Sequence, residues 1–98
     1  MTFQLREYTV KPGEMDEWIE EWRERIVPLR TKAGFKVLGA WRVDGTDQFV
    51  WIISHDGPQS WQDAEAGYYA SPERRALQPD PARHLAQTSA RLMTSLQA

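Results

Sequence analysis

A chain of 98 residues, 41% hydrophobic and 27% charged, can bury a real but modest core and has the composition of an ordinary globular protein. A net charge of −2 offers no broad basic field for nucleic acid, and the absence of cysteine excludes disulfides, thiolate metal sites and cysteine nucleophiles. Met1-Thr2-Phe3-Gln4 carries no basic leader, and no apolar run approaches the ~18 residues of a membrane span, so a cytoplasmic protein with one domain over residues 1–98 is expected.

Phe3 to Val10 is the first strand candidate, and Lys11-Pro12-Gly13 stops it because Pro cannot donate to a ladder. Glu14 to about Lys32 reads as a helix. Met15, Trp18, Ile19, Trp22, Ile26 and Leu29 recur every three or four residues and form one apolar stripe. Glu14, Asp16, Glu17, Glu20, Glu21, Glu24, Arg25 and Arg30 fall on the other face, with Glu21 and Arg25 spaced as an i,i+4 pair. Pro28 should kink this helix or end its regular part, and Gly34 is its natural stop.

Next comes the hairpin that organises the rest. Phe35, Val37, Gly39, Trp41 and Val43 alternate with Lys36, Leu38, Ala40 and Arg42. After the turn signal Asp44-Gly45-Thr46-Asp47, Phe49, Trp51, Ile53 and His55 alternate with Val50, Ile52 and Ser54. Both faces are apolar, so both must be covered. Asp56-Gly57-Pro58 breaks the strand. Ser60 can cap a helix from Trp61 to about Ala70, with Trp61, Ala64 and Tyr68 on one side. Ser71-Pro72-Glu73 restarts a helical turn through about Leu77, and Pro79-Asp80-Pro81 reads as a loop.

Periodicity from Leu85 to Leu96 fits a helix or a strand equally well. A strand at about Thr88 to Thr94 is adopted because the preceding elements need a partner strand to complete their sheet. The order β-α-β-β-α-β then predicts an α+β, ferredoxin-like four-stranded antiparallel sheet with helices on one face. The apolar second face predicts a homodimer, two sheets closing face to face into an α/β barrel.

Several residues could carry chemistry. His55, beside Asp56, suits a general acid or base, or else a strand-end imidazole bonded to backbone or water. His84 follows the proline loop, near a pocket mouth or simply in solvent. Arg6 and Tyr8 share a strand face, and Arg42 lies on the second strand. Arginines so placed could clamp a carboxylate or enolate with Tyr8 on the same oxygen, or pair structurally with Glu7 or Asp47. Trp41, Trp51, Trp61, Tyr68 and Tyr69 could wall a pocket for a flat apolar ligand, or serve as plain packing, while Trp18 and Trp22 read as core. Two isolated histidines without H-x-x-x-H spacing predict no metal, although one His suffices for haem. No Gly-rich phosphate loop or G-x-S-x-G elbow is present, which argues against nucleotide-dependent enzymes and serine hydrolases.

Leu5-Arg6-Glu7-Tyr8-Thr9-Val10-Lys11-Pro12-Gly13 resembles the opening strand and turn of NIPSNAP-like proteins, in the dimeric α/β-barrel superfamily. The resemblance continues through Pro28-Leu29-Arg30, Gly34 to Trp41, Tyr68 to Arg74 and Arg91-Leu92-Met93. It implies a range of functions: cofactor-independent monooxygenases of aromatic polyketides, polyketide cyclases, lactone isomerases, haem-degrading enzymes and stress proteins without assigned chemistry. It carries no catalytic signature residue by residue. The leading expectation is a homodimer binding an aromatic or polyketide-like molecule without a cofactor. In an enzyme of this kind His55 would move the proton, Tyr8 or Arg42 would hold the oxyanion, and Trp41 and Trp51 would be walls. The alternatives are a non-catalytic binding or interaction module and a haem-binding protein.

Overall fold

The computed structural model describes residues 2–97. Strands β1 (Thr2–Val10), β2 (Phe35–Arg42), β3 (Gln48–His55) and β4 (Leu85–Thr94) form one sheet in the order β2-β3-β1-β4, with every neighbouring pair antiparallel. Helices α1 (Met15–Glu21) and α2 (Val27–Lys32) lie between β1 and β2, and α3 (Trp61–Ala70) and α4 (Pro72–Arg75) between β3 and β4. This is the ferredoxin-like α+β fold expected from the element order. The tail is a strand, as expected, and it begins at Leu85 rather than at about Thr88.

One sheet face is closed by the helices. Gln4, Arg6, Tyr8 and Val10 from β1 and Phe49, Trp51 and Ile53 from β3 are buried there. Trp18 of α1 meets Phe49 edge to face at 5.7 Å between ring centroids, and Trp22 meets Trp51 at 5.4 Å. Such edge-to-face packing adds to the large apolar area each ring removes from water. Phe3, Leu5, Val50 and Ile52 alternate onto the opposite face and are only partly buried.

Two irregularities decide which side chains reach the covered face. Pro28 lies inside the helical segment and has no N–H to donate. Rather than ending there, the helix widens into a π-helical turn over Trp22–Ile26, where the Val27 N–H donates to the Trp22 carbonyl five residues back. The turn takes up one residue, which rotates the downstream stripe by roughly 100°. Arg30, placed on the solvent face by simple periodicity, is therefore buried to 1% exposure. Glu21 is buried too, and pairs with Arg83 rather than with Arg25.

The second irregularity is a bulge in β2 between Val37 and Gly39. It breaks the alternation read along Phe35 to Val43. Phe35 is buried on the helix face, whereas Trp41 pairs with Val50 on the other face and is 52% exposed. Trp41 and Trp51 thus lie on opposite faces, contrary to their expected shared wall. Gly39 permits this packing, since a Cβ there would lie 2.6 Å from the Trp41 ring. The proline loop also differs from expectation: Pro81–His84 forms a 3₁₀ turn capped by Asp80, which accepts from the Ala82 N–H at 2.9 Å.

Gly34 ends the helical segment at φ +94°, and a Cβ on it would stand 2.9 Å from His55 Nε2. Gly34→Ala should lower stability by about 1–2 kcal/mol, because an L side chain is strained at this φ. Urea unfolding followed by tryptophan fluorescence measures it, and an unchanged midpoint would show that the turn relaxes.

Candidate ligand pocket

Between the covered sheet face and the helices lies a pocket of about 230 Å³. Arg6 and Tyr8 of β1 and Trp51 of β3 form its floor. Trp18, Ile26 and Arg30 form one wall, and Tyr68, Tyr69 and Arg74 the other. Ala82, Leu85 and Thr88 border it along the 3₁₀ turn and β4. Local sequence places each side chain. Alternation along β1 sends Arg6 and Tyr8 to one face, the π turn swings Arg30 inward, and Ser60 starts α3 by accepting from the Asp63 N–H at 3.1 Å.

The polar groups form one network. Arg6 Nε donates to the Tyr8 hydroxyl at 2.6 Å, its Nη1 to Gln4 Oε1 at 2.6 Å and to Glu65 Oε2 at 3.3 Å, and its Nη2 to the Tyr69 hydroxyl at 3.1 Å. Arg30 donates to the other Glu65 oxygen, and to the same Tyr69 hydroxyl at 3.3 Å. Its guanidinium also sits over the Tyr68 ring, 3.9 Å from the centroid, and over Phe35 at 4.7 Å. Burial works against the Arg6 charge, but Tyr8, Tyr69 and Glu65 outweigh it and hold the guanidinium protonated. Burial likewise pushes the Tyr8 and Tyr68 hydroxyls above their ordinary value, against the pull of Arg6 and Arg30 respectively, so both stay neutral.

Of the residues singled out in the sequence, Arg6, Tyr8, Trp51, Tyr68 and Tyr69 come together here. Trp61 packs beside this group on Phe35, at 5.6 Å between ring centroids. Arg42 is at the surface, paired with Asp16, and Trp41 is on the far face. His55 lies at a separate, more open depression of about 410 Å³, with Trp61, Asp56 and Gly57 around it. Both of its ring nitrogens are engaged. The Gly57 N–H donates to Nδ1 at 3.0 Å, and Nε2 reaches the Ala33 carbonyl at 3.1 Å. Asp56 turns away to Lys36, 2.9 Å distant. Arg30, Glu65 and Arg74 escaped the sequence reading. The one signal for Arg30 was a proline two residues earlier in a helical pattern.

His84 is buried at 3% exposure, not in a solvated loop, because the 3₁₀ turn packs it under α1. Its Nδ1 lies 2.7 Å from Glu14 Oε1 and its Nε2 3.0 Å from Glu21 Oε2. Serving two carboxylates takes an N–H at each ring nitrogen, hence the imidazolium. Burial lowers the His84 pKa, but the hydrogen bonds it donates to Glu21 and Glu14 raise it further, so the net shift is upward. The Arg83 hydrogen bond, foremost, holds the Glu21 carboxyl below its ordinary value. Glu17, Glu21 and His84 bring ligand-type atoms within 4.8 Å of one another, yet Arg83 Nη2 already stands 2.8 Å from Glu21 and 3.7 Å from Glu17. A protein cation thus fills the role of a metal there.

The ferredoxin-like fold is shared with antibiotic biosynthesis monooxygenases. A solved structure of one matches with a TM-score of 0.68 at 20% identity, over 99% of this chain and 100% of that one. The NIPSNAP family model matches residues 3–97, and the chain belongs to the NIPSNAP family. An uncharacterized NIPSNAP domain protein from Burkholderia xenovorans superposes with a TM-score of 0.83 at 16% identity, covering 97% of this chain and 94% of that one. A NIPSNAP family protein from Agrobacterium tumefaciens gives 0.83 at 14%, covering 95% and 90%. No functionally curated protein matches the chain. Among the described residues no helix is long and apolar enough to cross a membrane.

The raised pKa of His84 gives stability that is fully present below its unfolded value of 6.5 and is lost as pH rises through the higher folded value. The lowered pKa of Glu21 gives stability present above its unfolded value of 4.5 and lost as pH falls through the folded one. Urea midpoints should therefore fall from pH 6.5 toward alkaline pH, and His84→Asn should lower the midpoint at pH 6 and flatten that alkaline limb. An unaltered limb in the variant would assign the dependence to other groups.

Proposed function

We propose that this protein is a cytoplasmic homodimer that binds a small aromatic molecule in the pocket between the sheet and helices of each protomer. The observation that carries this reading is the pocket's make-up: Trp18, Trp51, Tyr8, Tyr68 and Tyr69 line it, with the Arg6–Arg30–Glu65 network converging on them. Apolar walls with a few convergent polar groups are the usual composition of a small-molecule site. The volume favours a ligand of about one ring with a substituent: a cavity of ~150 Å³ holds benzene, and multi-ring polyketides would exceed the 230 Å³ here. Dimerisation rests on the uncovered sheet face with Phe3, Leu5, Trp41, Val50 and Ile52.

In an enzyme of this kind, cofactor-free oxygenation, cyclisation or isomerisation would run through an enolate, with Arg6, Arg30 and the tyrosine hydroxyls on the oxyanion. A second reading, a non-catalytic binding module, is favoured by one feature. Glu65, the carboxylate facing Arg6 and Arg30, has one oxygen engaged by each of these guanidiniums. His55 and Arg42 act structurally in both readings. Haem has less support, since both ring nitrogens of His55 and of His84 are engaged and a macrocycle would far exceed the pocket.

Titration with single-ring aromatic fragments should move the Trp18 and Trp51 indole N–H signals in nitrogen-15 spectra. Thr88→Trp, which plugs the pocket's rim without touching the core, should abolish those shifts. Fragments that leave both indoles unmoved would refute the pocket. Sedimentation should give a dimer, and Trp41→Asp should shift it to monomer; a monomeric wild type would refute the barrel.

A further inference from the structure

We infer that the ligand of this pocket is a monoanion, an aromatic carboxylate whose carboxyl group sits against Arg30 and Arg6; the inference rests on the pocket reading above and specifies its ligand. Charge and hydrogen-bond inventory each point to it.

Arg6 and Arg30 share a single carboxylate, Glu65. Arg74, the third guanidinium at the pocket, has its own partner in Asp80 at 3.1 Å. Among the described residues, one positive charge in the Arg6–Arg30–Glu65 group is therefore left without a counter-charge. Arg30 is 1% exposed and Arg6 7%, so water screens that excess poorly. Stacking on Tyr68 and Phe35 eases the position of Arg30 but supplies no negative charge.

The inventory of unmet hydrogen bonds agrees. Among the described residues, seven buried side-chain nitrogen and oxygen atoms have no hydrogen-bond partner. Five belong to residues lining this pocket: Trp18 Nε1, Trp51 Nε1, Arg30 Nε, Arg74 Nε and the Tyr68 hydroxyl. Trp51 and Arg74 lie near enough to the Tyr8 and Tyr68 hydroxyls to pull their pKa values down, without completing a bond. Four of the five atoms can only donate, and the neutral Tyr68 hydroxyl can donate as well. The Tyr69 hydroxyl already accepts from both Arg6 and Arg30, which leaves its hydrogen free to give. Unmet buried donors are costly, and each calls for an explanation.

A neutral ring would satisfy none of these groups. Water could accept from the donors but could not balance the charge. A carboxylate supplies the missing charge, with two oxygens that accept along the planar edge of a guanidinium. It also stays ionised at neutral pH, where an unperturbed phenol does not. A phosphate monoester, carrying nearly two charges, would overshoot the single excess charge. After a carboxyl group, a volume of 230 Å³ leaves room for one aromatic ring between Trp18, Trp51 and Tyr68.

Benzoate and its neutral isostere benzamide separate the inference from its premise. Binding to the full-length protein would be read from the Trp18 and Trp51 indole N–H signals. Benzoate should bind at least about tenfold more tightly than benzamide, as expected for charge-assisted hydrogen bonds. Arg30→Met should remove that preference. Because loss of Arg30 could unfold the core, Glu65→Gln provides the opposite test. It removes the competing carboxylate while keeping an acceptor, and should tighten benzoate several-fold while leaving benzamide unchanged. Equal binding of the two ligands, or benzoate affinity that Glu65→Gln weakens, would overturn the carboxylate assignment and leave the pocket standing. Indole signals unmoved by either ligand would overturn both.

Discussion

Pro28 has no N–H to donate, and the way the helix accommodates it shapes the rest of the covered face. A proline in a regular helix leaves a carbonyl unpaired and presses its ring into the preceding turn. Here the π turn over Trp22–Ile26 absorbs that defect without a break. The consequence reaches beyond the helix. Downstream residues rotate, Arg30 turns inward, and a guanidinium that would otherwise face water is enclosed between Phe35 and Tyr68. Only then can Arg30 meet Glu65 from α3 and share it with Arg6 from β1. Three elements distant in sequence are joined by that ion-pair group.

The group is an uneasy one by the usual rules for interiors. Buried charges are tolerated when paired and fully hydrogen-bonded, and this one is neither completely. Cation–π stacking and the tyrosine hydroxyls offset part of the cost. Contrast the His84 cluster at the other end of α1. There Arg83 and the His84 imidazolium face Glu14, Glu17 and Glu21, and both imidazole nitrogens find carboxylates within 3.0 Å. Its one excess carboxylate, Glu17, is exposed to water, and the imidazole is fully satisfied, as suits a structural staple holding the 3₁₀ turn to the helix. The difference between a satisfied and an unsatisfied cluster separates structure from candidate function here better than residue type does. Both ring nitrogens of His55 and of His84 have hydrogen-bond partners within the protein.

NIPSNAP membership and the likeness to monooxygenase folds are compatible with this picture, but a shared fold does not choose a chemistry. The choice falls to the side chains beneath the helices. Packing accounts for Tyr8 and Trp51 as core, whereas Arg6 on the covered sheet face and Glu65 on α3 above it are hard to justify by packing alone. Buried polar groups with partial satisfaction are where ligand recognition is commonly built.

Much of the fold was legible in the sequence. Alternation in β1 and β3, the Asp44-Gly45 turn, the caps at Ser60 and Ser71 and the stripe from Met15 to Ile26 are local patterns, and local patterns follow from backbone geometry. The shared face of Arg6 and Tyr8 was legible for the same reason. Tertiary structure alone decided the rest. Periodicity could not tell whether the tail from Leu85 was strand or helix, because only pairing with β1 selects the extended form. Nor could it foresee the bulge after Val37, which sends Trp41 to the open face, or the π turn that brings Arg30 inside. Both shift the phase of a repeat by one residue, and such a slip is decided by what the displaced side chains then pack against. The pocket depends on that slip: the sequence alone supplies its arginines and tyrosines, and long-range packing sets them around one space.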